Sequence, residues 1–315
     1  MKKVLYAVII CALLTVGCGQ KGDELINTDS DTDKSTSDVY SSQEILDNIT
    51  EEMTENDEAI EPRPYGNSLS KGYALDVLKD VECGSFVNFG RYEQDGNLEN
   101  GTEDIEWVVL DKSDGKALLL TRYVIDGQVF NKGGEYRTWK DATLRNWLQD
   151  DFFYSAFSAD EQKAIIETDN TNPGTMDFFE EDNKANLEDG LDYTEGEEGF
   201  ENTKDTVFLL SLEEVQKYFY IPKESEIGPD ELLSNVINED AIAYPTDYAK
   251  SRGIWEQEEL DGYPSTVTGA TIWYLRSPAS EKFSMTLAVY AMGIVDGDET
   301  SRISGIRPAI WVSYQ

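Results

Sequence analysis

Histidine is missing from all 315 residues. Its absence excludes Ser-His-Asp and Cys-His catalysis, imidazole acid–base chemistry and the usual imidazole-based transition-metal sites. Cysteine is nearly missing too, with three in the chain. Cys11 and Cys18 lie in and at the end of an N-terminal apolar run, so Cys83 stands alone in the body. That leaves no disulfide within the body and no cysteine-rich zinc or iron–sulfur site. With no imidazole to activate it, Cys83 is expected as a small buried residue. Positive charge is scarce: 26 Lys and Arg face 63 Asp and Glu, a formal charge of −37. Such a chain repels phosphate backbones, which argues against nucleic-acid partners. What remains is ample for a core, with 39% hydrophobic and 11% aromatic residues.

The first residues read Met1-Lys2-Lys3, an apolar stretch from Val4 to Val16, then Gly17-Cys18. The stretch is short for a bilayer span and has a basic start and a small residue before the cysteine. It resembles a bacterial lipoprotein signal, with Thr15 standing where leucine is usual. The resemblance implies cleavage after residue 17, lipidation of Cys18 and a place on the outer face of the cell membrane. Two acyl chains would then supply the attachment, since an anionic chain gains nothing from anionic headgroups. Residues 18–70 turn to Asp, Glu, Ser, Thr and Asn and predict a disordered acidic tether. Within it, Ile45, Leu46, Ile49 and Met53 have helical spacing, so Ser41 to Ala59 could form a short amphipathic helix.

Residues 71–315 predict a single α+β domain, with a twisted antiparallel sheet and short helices. Ser85 to Tyr92, Ile105 to Leu110 and Lys116 to Tyr123 read as strands, the last two joined by a hairpin at Lys112-Ser113-Asp114-Gly115. Asp141 is placed to cap a helix carrying Leu144, Trp147 and Leu148, with Trp147 and Trp311 in the core. Ser158-Ala159-Asp160-Glu161 and Ser211-Leu212-Glu213-Glu214 have capping-box spacing. Residues 169–204 read as a long acidic excursion, followed by a short strand from Thr206 to Leu210. Thr271 to Arg276, Met285 to Met292 and Ala309 to Val312 are further strands, with Asp296-Gly297-Asp298 as a turn between the last two.

A series of strings in this order resembles a domain of unknown function of bacterial surface and secreted proteins, over about residues 81–312. They are Phe89-Gly90-Arg91-Tyr92, Ile105-Glu106-Trp107-Val108-Val109-Leu110, Thr138-Trp139 with Leu144-Arg145-Asn146-Trp147-Leu148, and Ala156-Phe157-Ser158. Then come Asp205-Thr206-Val207-Phe208-Leu209-Leu210-Ser211 and Pro245-Thr246-Asp247-Tyr248-Ala249. The closing strings, Trp273-Tyr274-Leu275-Arg276-Ser277-Pro278 and Gly305-Ile306-Arg307-Pro308-Ala309-Ile310-Trp311, also resemble C-type-lectin-like folds of the formylglycine-generating branch. That likeness implies a loop-rich α+β domain. It does not bring the enzyme chemistry, which needs a cysteine pair this body lacks.

Candidate chemistry divides three ways. Trp139, Trp273, Tyr274, Arg276 and Arg307 offer flat faces and planar donors of the kind that bind sugars or partner proteins, although aromatics and Arg at strand spacing also serve cores. Glu106, between Ile105 and Trp107, is the best single general acid for a carboxylate-dependent enzyme, against a plain ion pair with an Arg such as Arg145 or Arg307. Calcium is the cofactor an acidic chain leaves open, at Asp169 to Glu180 or Asp296 to Glu299, against solvated turns. No residue set is assigned to a metal. The leading expectation is a lipid-anchored extracytoplasmic binding or adhesion module for a glycan, wall polymer or surface protein. A polysaccharide- or wall-acting enzyme and an accessory scaffold lipoprotein are the alternatives.

Overall fold

The computed structural model describes residues 68–135, 137–172, 201–219, 238–280 and 284–315. The signal stretch, the tether up to residue 67 with the helix expected there, and residues 173–200 of the acidic excursion lie outside the described residues. Among the described residues no helix is long and apolar enough to cross a membrane.

Helix α1 (Ala74–Val77) leads into β1 (Phe86–Tyr92), β2 (Glu103–Ser113) and β3 (Lys116–Thr121), as the apolar strings predict. The β2–β3 turn is Asp114-Gly115, both at positive φ (51° and 76°), which suits a tight antiparallel hairpin. Next come β4 (Asp126–Val129), α2 (Thr143–Trp147), α3 (Phe153–Ala156) and α4 (Ala159–Ala164). Then β5 (Thr168–Asn170) pairs with β6 (Thr203–Asp205) and closes the base of the excursion. Helices α5 (Leu212–Phe219) and α6 (Asp247–Ser251) precede β7 (Trp273–Ser280), β8 (Met285–Val289), β9 (Val295–Glu299), β10 (Ile303–Ile306) and β11 (Ala309–Ser313).

One sheet is antiparallel in the order β1-β2-β3-β11, so the last strand returns to pair with an early one. The other runs β4-β10-β7-β8-β9, antiparallel except at the β10–β7 contact. This is an α+β architecture with mixed short helices and mainly antiparallel sheets. A continuous apolar core of Phe86, Phe89, Trp107, Leu119, Phe152, Phe208, Trp273 and Ile310 joins the two sheets.

Four sequence expectations are corrected. Asp141 ends a 3₁₀ turn (Trp139–Asp141), and Ala142 occupies the N-cap of α2. Val207 to Leu210 is buried and forms a single isolated bridge, Phe208–Ala309, with one further backbone bond from the Arg276 N–H of β7 to the Leu210 carbonyl, so it is a core-filling loop. Asp296-Gly297-Asp298 is not a turn but the middle of β9. Trp147 and Trp311 pack on the core while staying partly exposed, with Lys116 Nζ 5.4 Å over the Trp311 ring. Both capping boxes form. Ser158 and Glu161 exchange reciprocal bonds, and the Ser211 N–H donates to Glu214 at 2.7 Å while the Glu214 N–H donates back to Ser211 Oγ at 3.2 Å.

Candidate functional site

The five aromatic and arginine residues expected to bind ligand are all in the interior. Trp273, Tyr274 and Arg307 are 0% exposed, and Trp139 and Arg276 are 2%. Each is consumed by a structural bond. Trp139 Nε1 donates to Asp205 Oδ2 at 3.0 Å, and Trp273 Nε1 to the Ala241 carbonyl at 3.1 Å. The Tyr274 hydroxyl sits between the carbonyls of Glu299 (2.6 Å) and Arg302 (2.8 Å). Arg276 pairs with Glu214 and donates to the Leu209 carbonyl at 2.7 Å and Asn172 Oδ1 at 3.1 Å. Arg307 donates to the Thr121 carbonyl at 2.8 Å and lies 5.0 Å over the Trp273 ring. The expected surface platform is therefore an internal brace. The guanidinium groups tie loops to strands, Arg276 from β7 to the Leu209 carbonyl and Arg307 from the β10–β11 link to the Thr121 carbonyl of β3.

The remaining candidates also move. Glu106 lies beside Arg122 at 3.5 Å, an ion pair with a different arginine from those expected. Cys83 is exposed rather than buried. In the first calcium candidate Asn172 donates to the Glu201 carbonyl and the residues from 173 to 180 lie outside the described ones. In the second, Asp298 is buried against Ser304 Oγ (2.5 Å) and Arg302 Nε (3.2 Å).

A different polar face is built where β1 ends, β4 begins and α6 packs. Thr246 caps α6 by accepting from the Ala249 N–H at 3.2 Å, and its own N–H donates to the Val124 carbonyl at 2.9 Å. That bond sets α6 beside β4. The Tyr248 N–H donates to the Gln94 carbonyl at 2.9 Å and fixes the β1–β2 loop on the same side. Gly127 makes the approach possible: a Cβ there would stand 2.5 Å from Ile254 Cγ2 and 2.9 Å from Arg252 Cβ.

Asp126 is the centre of this face. It is 1% exposed and accepts from the Tyr92 hydroxyl at 2.6 Å, the Gly127 N–H at 2.6 Å and Gln128 Nε2 at 3.4 Å. Arg252 Nε lies 3.3 Å from Oδ1, the oxygen that also accepts from the Gly127 N–H, and the Arg252 side chain is nearly half exposed. Burial pushes the Asp126 carboxyl pKa up, while these donors pull it back. Burial and the Asp126 charge push the Tyr92 phenol pKa strongly up, so Tyr92 stays a neutral donor. The Arg252 guanidinium also lies 5.9 Å over the Tyr248 ring. Three residues further on, Trp255 is 47% exposed, and Ile303, beside Gly127, is 41% exposed.

Chemically, the face combines a half-exposed guanidinium paired through its Nε with a phenol that donates to the same carboxylate, and an exposed indole follows in sequence. Arg252-Gly253-Ile254-Trp255 carries no periodicity, so no local pattern marks these residues. The available signal was an arginine and a tryptophan around a glycine, just after a capped helix. Next to this face, the carboxylates of Glu93, Asp95 and Glu103 offer oxygens all within 4.8 Å of one another, the described group with metal-ligating geometry.

Residues 114–314 match the model of a family described as "Domain of unknown function (DUF6273)". The match begins in the β2–β3 turn, so β1 and β2 precede it although they complete the same sheet. Neither the curated proteins nor the solved structures contain a match to the chain.

Proposed function

The chain belongs to the DUF6273 family, and we propose that it is a lipid-anchored extracytoplasmic binding module whose ligand is a glycan or wall polymer. The observation that carries the reading is the Arg252–Asp126 pair. A buried carboxylate pairs with a half-exposed guanidinium, and the exposed Trp255 follows three residues along the chain. Sugars are held by stacking on flat aromatic faces and by planar, pre-oriented donors, and rigid anchors reduce the ordering cost of binding. The lipid anchor rests on Lys2, Lys3, the Val4 to Val16 run and Cys18, and a Cys18→Ser chain should lose acyl labelling. The C-type-lectin-like lineage is part of the proposal and is supported by β11 returning to close a sheet beside β3.

Calorimetric titration of the full chain with wall oligosaccharides tests the binding reading. Saturable heat that disappears in Trp255→Ala supports it. Release of shortened oligosaccharide would replace it with the hydrolase alternative, and an unchanged isotherm in Trp255→Ala would remove this face from binding.

A further inference from the structure

We propose that the loop joining β1 to β2 binds a calcium ion through the carboxylates of Glu93, Asp95 and Glu103. The site does not depend on the glycan reading and lies before the residues matched to the family.

The decisive observation is Glu93. Glu93 is 7% exposed, and its Oε1 is buried with no hydrogen-bond partner among the described residues. A buried acceptor without a donor is costly, and here it belongs to a carboxylate that faces two others. Asp95 is exposed and Glu103 half-buried, so the group opens to solvent on one side. Among the described residues, no Lys or Arg reaches ion-pair distance of any of the three.

The other two acids are already oriented. Asp95 accepts from the Asn97 N–H and Asn100 Nδ2, both at 2.7 Å, and Glu103 Oε2 accepts from the Gln94 N–H at 2.8 Å. These bonds hold the carboxylates in place without neutralising them. Calcium takes oxygen ligands at roughly 2.4 Å, so opposite ligands stand about 4.8 Å apart, whereas magnesium requires about 4.2 Å. Three carboxylate oxygens within 4.8 Å of one another are close enough to share one such ion. Water and loop carbonyls would complete the shell.

The test is calcium titration of the full chain, by calorimetry and by melting temperature, in wild type, Glu93→Gln, Glu103→Gln and Asp169→Asn. Because so acidic a chain binds cations weakly in many places, the readout is the one saturable site lost between variants. The expected result is a calcium-dependent rise in melting temperature that both Glu93→Gln and Glu103→Gln abolish and Asp169→Asn keeps, with magnesium far weaker. If Glu93→Gln fails to fold, the half-buried Glu103→Gln decides. An equal calcium response in wild type and Glu103→Gln, or none in wild type, overturns the proposal. In that event a proton shared within the cluster is what satisfies Glu93.

Discussion

Trp139 and Asp205 lie 66 residues apart and meet through a 3.0 Å bond inside the core. Asp205 also accepts from Arg145 Nε at 2.6 Å, Thr203 Oγ1 at 2.7 Å and Asn170 Nδ2 at 2.9 Å. One buried carboxylate thus ties the 3₁₀ turn of Trp139, helix α2 and both strands at the base of the excursion. The tryptophan that resembles a ligand-stacking residue is instead the apolar half of a structural joint.

Asp205→Ala should accordingly be severe. It leaves Arg145 uncompensated, with 19% of its side chain exposed, and removes the acceptor of a buried indole N–H. Breaking such a buried pair costs about 3–5 kcal/mol. Urea unfolding would show it as a fall in midpoint. A loss below about 1 kcal/mol would mean that the joint is not central to stability.

Glu161 should matter more than its capping partner. Ser158→Ala removes an N-cap and should cost about 1 kcal/mol. Glu161 accepts from Ser158 and also from the Gly90 N–H at 3.0 Å and the Tyr73 hydroxyl at 3.2 Å. Burial, and then the Glu161 charge and hydrogen bond, push the Tyr73 phenol pKa up to about 12. Glu161→Ala therefore orphans a buried β1 N–H, which adds about 1–3 kcal/mol. Equal losses in the two variants would show that the link to β1 contributes nothing.

The parts legible in the sequence are those fixed by local rules. The β1–β3 strands follow apolar strings and an Asp-Gly turn, and the two capping boxes need only residues three apart. The parts that misled depend on distant partners. Arg276 and Arg307 are buried because carbonyls 67 and 186 residues away receive them, which no local pattern encodes. Asp296-Gly297-Asp298 has the composition of a turn, yet a Cβ on Gly297 would come 2.9 Å from Met285 Cε. The glycine leaves room for the end of a methionine side chain from the neighbouring strand. The face around Asp126 was hidden for the same reason, since Tyr92, Asp126 and Arg252 come from three separated segments.

At that face, Trp255→Ala should leave stability within about 0.5 kcal/mol, because the side chain is half exposed. Its expected effect is on ligand affinity, at least tenfold or about 1.4 kcal/mol. Arg252→Lys keeps a positive charge near Asp126 but loses the planar fork, so it should weaken binding without a large fall in melting temperature. Paired binding and melting curves separate the two effects. A fall in stability with unchanged affinity would make the face structural.

Asp298 gives the clearest pH dependence. Burial raises its carboxyl pKa above the ordinary 3.8, despite the bonds from Ser304 and Arg302. Between 3.8 and the raised value the native state holds a proton that the unfolded chain has released. The stabilisation is complete below the unfolded value and is lost as pH rises through the native one. In Asp298→Asn the carboxamide cannot ionise, and the Ser304 hydroxyl can turn to accept from its N–H group. The stability of the variant relative to wild type should therefore increase from about pH 3.5 to about pH 7, measured as the difference in urea midpoints. A difference that moves the opposite way would mean that the Arg302 and Ser304 bonds outweigh burial and stabilise the ionised form.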